Sequence, residues 1–287
     1  MNMKYSYYPG CSLHSVAAEY DLTTKQVCER LDIQLEELPG WTCCGASSAH
    51  STSHLMGVAL PAHNLVLAEA QGADLLAPCA ACFQRMAAAK RDIEQDPKLK
   101  AKVEKVLGKE LTSTIKPVSI LDVFNEVGLE AIASRVKKPL AGLKVASYYG
   151  CYLVKPSRYV QVDDAENPQS MDKIMQSLGA EAIDWPFKTE CCGNSLVFTN
   201  TDAVLKLAKD ILQMAVDNGA NCIVTPCPLC QPNLDMRQAA VNKKYGTKFD
   251  IPVFYITELM AMAMGVELNS LPLNKHYVDP TKLLKVI

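Results

Sequence analysis

The chain has 287 residues, of which 49% are hydrophobic and 21% charged, enough apolar surface for a packed core and too much for a wholly disordered protein. At ~150 residues per domain that length corresponds to about two domains. Its 29 basic and 31 acidic side chains leave a net charge of −2, so no overall field gathers nucleic acid or acidic lipid.

In chain order, Met1 to Gly10 (MNMKYSYYPG) lacks an apolar core and a cleavage site, so it does not read as a signal peptide. Lys4–Tyr8 is a short apolar-aromatic run ending in Pro-Gly, the pattern of a strand entering a turn. Leu22–Leu31 reads as an amphipathic helix and Leu35–Leu38 as a second strand. Leu38 to Ala68 is the longest stretch without acid or base, but its Ser, Thr, His and Pro exclude the ~20 apolar residues of a membrane span. Ser53–Gln71 reads as a helix with a polar start and Gly72 beyond its end, bent or split at Pro61. Leu75–Ala77 reads as a buried strand, followed by Cys79-Ala-Ala-Cys82 and a further helix.

The same elements then return. Lys144–Tyr149 is a strand, Ser170–Leu178 a helix, Ala182–Trp185 a strand, and Thr201–Asn218 a helix with Gly219 beyond it. Cys222–Thr225 is a buried strand before Cys227-Pro-Leu-Cys230. Strands alternating with helices predict an α/β fold with a parallel sheet in each half and ligands outside the strand C-terminal ends.

The repetition is sharpest in the cysteines. Thirty-one residues separate Cys11 from Cys43-Cys44-Gly45, and 39 separate Cys151 from Cys191-Cys192-Gly193. In both copies 34 residues lie between the second cysteine of the CCG and the first of the CxxC. Ten of the 12 cysteines fall into this doubled pattern. Context repeats with them: Tyr7-Tyr8-Pro9-Gly10-Cys11 answers to Tyr148-Tyr149-Gly150-Cys151, and Pro117–Asp122 to Pro252–Thr257. The halves are 1–138 and 139–287, and the polar run Asp163–Ser170 accounts for the longer first spacing of the second copy.

This usage points to metal or redox chemistry. A chain in a reducing compartment rarely keeps six disulfides. Two thiols at the first turn of a helix lie near backbone N–H groups and the positive dipole end, which favours thiolates. Adjacent cysteines are awkward ligands for a tetrahedral zinc, and five thiolates per half exceed what one zinc or one ordinary cubane uses. They suit a larger or distorted iron–sulfur cluster. Cys28 and Cys222 read as small core residues. His63 reads as packed within a helix face and His276 as part of a polar tail. His50 and His54 flank the first CCG loop, where a structural role is favoured over ligand contact. Leu259–Val266 (LMAMAMGV) reads as core or as a contact with a partner chain.

Two copies of a cysteine, a CCG and a CxxC at these spacings resemble the CCG domain, and the whole chain resembles the B-type subunit of heterodisulfide reductase, down to CPLCQPNLDMRQ (Cys227 to Gln238). That resemblance implies two pseudo-twofold-related CCG domains, each a small parallel sheet flanked by helices, the second with a C-terminal tail. Each would hold a noncubane 4Fe-4S cluster, the first on Cys11, Cys43, Cys44, Cys79 and Cys82, the second on Cys151, Cys191, Cys192, Cys227 and Cys230. The implied reaction is two-electron reduction of a small-molecule disulfide (the CoB-CoM heterodisulfide or a related one) at clusters facing an inter-domain cleft. Electrons would arrive in a cytoplasmic complex from a flavin-bearing subunit by way of a ferredoxin-like one. The chain itself has no GxGxxG, P-loop or ferredoxin motif to receive them directly. Methanogen members often carry CCP in the first motif, whereas CCG stands in both here, closer to relatives outside methanogenesis. The alternatives are an electron-relay subunit of a lactate- or glycerol-3-phosphate-type dehydrogenase and, in another class, a structural zinc scaffold. The glycerol-3-phosphate type carries an added ferredoxin segment that this sequence lacks.

Overall fold

The computed structural model describes residues 3–46 and 48–285; Met1, Asn2, Ser47, Val286 and Ile287 lie outside the described residues. The first half runs β1 (Met3–Tyr7), α1 (Ala18–Arg30), β2 (Ile33–Glu37), α2 (His54–Gln71), β3 (Leu75–Leu76), α3 (Ala80–Gln95), α4 (Pro97–Leu107), β4 (Pro117–Val118) and α5 (Ile120–Val127). The second runs β5 (Lys144–Ser147), α6 (Ser170–Ser177), β6 (Glu181–Ile183), α7 (Thr201–Asp217), β7 (Cys222–Thr225), α8 (Cys230–Asp235), α9 (Gln238–Tyr245), β8 (Val253–Tyr255) and α10 (Ile256–Ala263).

The described residues form two four-stranded sheets of identical order, β2-β1-β3-β4 and β6-β5-β7-β8. Every pairing is parallel, with Tyr7 opposite Leu76 and Thr225 opposite Tyr255. β7 is buried along its whole length, as its three apolar residues before Thr225 (CIVT) suit a strand covered on both faces. The doubled sequence is therefore a doubled α/β unit.

Helix ends follow local chemistry. The Ser53 hydroxyl accepts the Met56 N–H at the start of α2, and Gly72 leaves its end at φ 73°, in the left-handed region that favours glycine. Asn200 caps α7 through the Ala203 N–H. The expected split at Pro61 is not found: α2 runs unbroken from His54 to Gln71. Val58, Ala59, Ala62, Leu65 and Val66 are buried on both sides of the proline, so packing holds the helix where one backbone bond is missing.

The halves share one continuous apolar core, with a smaller cluster under α2, α3 and α4. They meet where α1 packs on α10. There the Tyr20 and Tyr255 rings stack at 4.3 Å with planes 6° apart, and the Thr23 and Thr257 hydroxyls are 2.7 Å apart. The connection between halves is tied to the same helix, because the Lys137 and Lys138 N–H groups both donate to the Ala263 carbonyl. The methionine-rich run belongs to the core: Met260, Met262 and Met264 are all buried. His276, read from sequence as part of a polar tail, is buried instead, its Nε2 3.0 Å from Glu258 Oε1 on α10. The tail also anchors on Asp235, whose carboxylate accepts the Tyr277 and Val278 N–H groups.

Candidate metal centres

All 12 cysteines are free thiols. Each five-cysteine set draws on the C-terminal ends of the strands of its own sheet. Cys11 follows β1, the CCG follows β2, and the CxxC follows β3; Cys151, Cys191-Cys192 and Cys227/Cys230 take the same places after β5, β6 and β7. That is where a parallel sheet gathers its ligands.

The two copies are built by the same contacts. The Tyr8 hydroxyl donates to the Thr42 carbonyl at 2.8 Å and the Tyr148 hydroxyl to the Glu190 carbonyl at 2.6 Å. Each tyrosine thus stands three residues before its first cysteine and braces the residue just before its CCG. Gly10 and Gly150 have φ of 64° and 69°, and a Cβ on either would lie 3.5 Å from Cys82 Sγ or 3.3 Å from Cys230 Sγ. Glycine therefore serves both the left-handed turn and the approach of the last cysteine. Gly45 and Gly193, at φ 73° and 78°, turn their N–H groups back onto Cys43 Sγ at 3.4 Å and Cys191 Sγ at 3.3 Å. The buried Asn64 side chain holds the first CCG loop from α2, bonding the N–H and the carbonyl of Thr42. Asn233 on α8 does the same for the second by donating to the Cys192 carbonyl.

The thiols touch in matching pairs, Cys44 to Cys82 at 3.1 Å and Cys192 to Cys230 at 3.5 Å. The two sets approach each other across the pseudo-twofold: the Tyr20 hydroxyl lies within 3.4 Å of the carbonyls of both Pro78 and Pro226, the residues before the two CxxC motifs. Hydrogen bonding from Cys151, reinforced by the Gly193 N–H, holds the Cys191 thiol down to about 6. Hydrogen bonds from Cys230 and Cys79 lower Cys227 below the usual thiol value, against the effect of burial. Cys11, Cys43 and Cys191 are exposed and Cys151 is half-buried, while the other six are buried. Each set therefore has a solvent-facing side at its first cysteine and CCG, and a buried side at its CxxC.

Among the described residues no three His, Cys, Asp or Glu side chains are spaced as ligands of a single metal ion. The donor set is nonetheless all sulfur, five thiols in each half, a soft set that fits iron–sulfide chemistry. Backbone N–H groups aimed at two of the sulfurs add the hydrogen bonding that tunes such centres. Cys28 and Cys222 lie outside both sets and are fully buried, and burial pushes the Cys28 thiol up to about 12. His50 and His54 are exposed beside the first CCG loop, and His63 lines a cavity next to it. A cavity of about 510 Å³ bounded by Val216, Asn221 and Phe249 lies at the opposite, N-terminal end of β7, away from the sulfurs. The bracing roles of Tyr8, Tyr148, Asn64 and Asn233 were not read from the sequence; for the tyrosines the signal was present, a Tyr three residues before the first cysteine in both copies.

The Cysteine-rich domain model (CCG) matches residues 5–87 and 145–235. The 8-methylmenaquinol:fumarate reductase membrane anchor subunit of Wolinella succinogenes is 33% identical over 286 residues, 99% of this chain and 100% of that one. The B-type subunit of the ferredoxin:CoB-CoM heterodisulfide reductase of Methanosarcina mazei is 32% identical over 291 residues, 99% of this chain and 97% of that one. A crystal structure of a hypothetical protein from Helicobacter pylori shares the fold at a TM-score of 0.75 and 17% identity, over 97% of this chain and about half (52%) of that one. With two matches of its cysteine-rich domain and full-length relatives above 30% identity, the chain belongs to the double CCG-domain family that includes the B-type subunits of heterodisulfide reductases.

Proposed function

We propose that this chain is the iron–sulfur subunit of a multi-subunit oxidoreductase, and that it reduces a small-molecule disulfide. The observation that carries the reading is the approach of two complete five-cysteine sets, whose CxxC motifs are joined through the Tyr20 hydroxyl at Pro78 and Pro226. Splitting a disulfide consumes two electrons and two protons and leaves two thiols, so a duplicated site suits it better than a single one. The ten motif cysteines are the ligands, in the two sets 11/43/44/79/82 and 151/191/192/227/230, in domains 1–138 and 139–287. When bound, a noncubane 4Fe-4S cluster in each set would supply single electrons and a Lewis-acidic iron for a released sulfur.

The chain's own groups prepare the sites. The Gly45 and Gly193 N–H groups stabilise negative charge on Cys43 and Cys191, two of the three exposed cysteines. The tyrosine braces and the buried asparagines fix both CCG loops, so the soft donors are held before a metal arrives. Electrons come from partners, one ferredoxin-like and one flavin-bearing. A reducing compartment, the cytoplasm, suits a chain that must keep ten ligating thiols free.

A second reading, an electron relay between a quinol and another subunit, is favoured by the relative from Wolinella succinogenes, whose name places it in a quinol:fumarate reductase. One anaerobic experiment separates the two. The complex purified around this chain is given a reduced low-potential dye with a disulfide, or a quinol with fumarate. Release of two thiols per disulfide supports the first reading; fumarate reduction without thiol release replaces it with the second.

A further inference from the structure

The net charge of −2 conceals an uneven surface. Lys98, Lys102, Lys105 and Lys109 lie on α4 or just past its cap and are all exposed. Ion pairing in this region uses other lysines, in Lys90–Glu94 and Lys100–Glu104, while the Glu104 carboxylate also accepts the Leu111 N–H. Lys98, Lys102 and Lys105 follow at intervals of four and three, which places them on one stripe of the helix. A lysine stripe alone is an ordinary solvated face. This one borders exposed apolar side chains: Val106, one helical turn from Lys102, is 60% exposed, and Met56 at the start of α2 is 45% exposed. Both edge a cavity of about 470 Å³ walled mainly by Leu55, Ala59, Leu60 and Leu107, with Thr42, Ser53 and His63 as its polar members. The second half has no counterpart, because the stretch from the last CxxC cysteine to the next strand is 12 residues longer in the first half, and α4 fills it.

We propose that the face made by α4 and the first turns of α2 docks on an anionic phospholipid bilayer. The lysines meet headgroup phosphates, Val106 and Met56 enter the acyl boundary, and the cavity accepts an acyl chain. An acidic protein would call only on the lysines; the exposed apolar pair and the apolar cavity beside them match an amphipathic surface. No helix among the described residues is long and apolar enough to cross a membrane, so the contact is with the surface. Thr42, in the cavity wall, is the residue before Cys43, so docking brings the first cysteine set to the membrane interface. The proposal stands apart from the disulfide reading, since its readout is binding and not turnover.

The test is flotation of the full chain with vesicles of phosphatidylglycerol and phosphatidylcholine in equal parts, against vesicles of phosphatidylcholine alone. Binding is expected on the anionic vesicles only, weakening as salt rises. Replacing all four lysines by glutamine should lower the partition by roughly six hundredfold, about fivefold for each charge. Met56→Ser with Val106→Ser should weaken binding while leaving its salt dependence unchanged, and circular dichroism should confirm that both variants are folded. Equal binding to neutral vesicles, no binding to anionic ones, or wild-type partition in the lysine variant overturns the proposal. Sensitivity to the lysines with none to Met56 and Val106 also overturns it, and identifies the stripe as a seat for an acidic protein.

Discussion

The Tyr20 hydroxyl on α1 donates to the Pro226 carbonyl at 3.0 Å and lies 3.4 Å from the Pro78 carbonyl. One fully buried side chain of the first half therefore touches the residue immediately before each CxxC motif. Its ring is stacked on Tyr255 of the other half, so the same residue holds the halves together and sets the spacing of the two cysteine sets.

Tyr20→Phe keeps the ring stack and removes the donor. Two buried carbonyls then lose their hydroxyl partner, at a cost of about 1–3 kcal/mol. Urea unfolding should show a lower midpoint with an unchanged slope. A midpoint equal to that of the wild type would mean that the hydroxyl contributes nothing to the joint.

Gly150→Ala tests the close approach in the second set. At φ 69° an alanine is strained by ~1–2 kcal/mol, and its Cβ would stand 3.3 Å from Cys230 Sγ. The variant should fold with reduced stability and bind less iron in its second half, whereas Gly219→Ala, with nothing within 4 Å, should cost only the backbone strain. Equal iron content in the two variants would count against the glycine's role beside the sulfur.

Much of this arrangement is legible in the sequence. The two spacings of 34 residues and the alternation of strands and helices lead directly to two like sheets, because in a parallel α/β unit each loop after a strand falls at the same edge. Long-range pairing is what local pattern misses. His276 sits in a polar run, and its partner Glu258 is 18 residues away on α10, so nothing nearby in sequence marks it as buried. Pro61 is a helix breaker by local rule, and the apolar packing around α2 overrides it. Net charge averages away the lysine stripe of α4, since it sums every acid of the chain with no regard to which face carries it.

His276 gives stability a pH dependence. Burial alone would lower its pKa, but the adjacent Glu258 carboxylate and its hydrogen bond, with Asp235 and Glu19 also facing the ring, outweigh burial and raise it above 6.5. A group whose folded value lies above its unfolded one contributes fully below the unfolded value and less as pH rises through the folded one. The unfolding midpoint should therefore fall as pH climbs through and above the ordinary histidine value of about 6.5. In His276→Gln that fall should be shallower, and an identical slope in both proteins would remove His276 as its cause.

The last prediction separates ligand from bystander. Cys192→Ser and Cys28→Ser each replace one buried thiol by a hydroxyl. Cys192 touches Cys230 at 3.5 Å within the second set, whereas Cys28 lies in the core on α1. If the ten motif cysteines are ligands, an oxygen cannot take over at Cys192 for a soft iron–sulfur centre. The reconstituted wild-type chain should hold about eight irons with comparable sulfide, and the Cys192 variant about four. The first set should survive, because all five of its thiols come from residues 11 to 82, although Tyr20 joins the two CxxC motifs and makes some change in its spectrum expected. Cys28→Ser should keep all the iron and lose on the order of 1 kcal/mol or more of stability, since its hydroxyl is buried without a designed partner. Iron and sulfide analysis beside unfolding curves reads both outcomes. Full iron in the Cys192 variant would end the five-thiolate assignment, and about two zincs without sulfide in the wild type would turn the duplicated site into a structural scaffold.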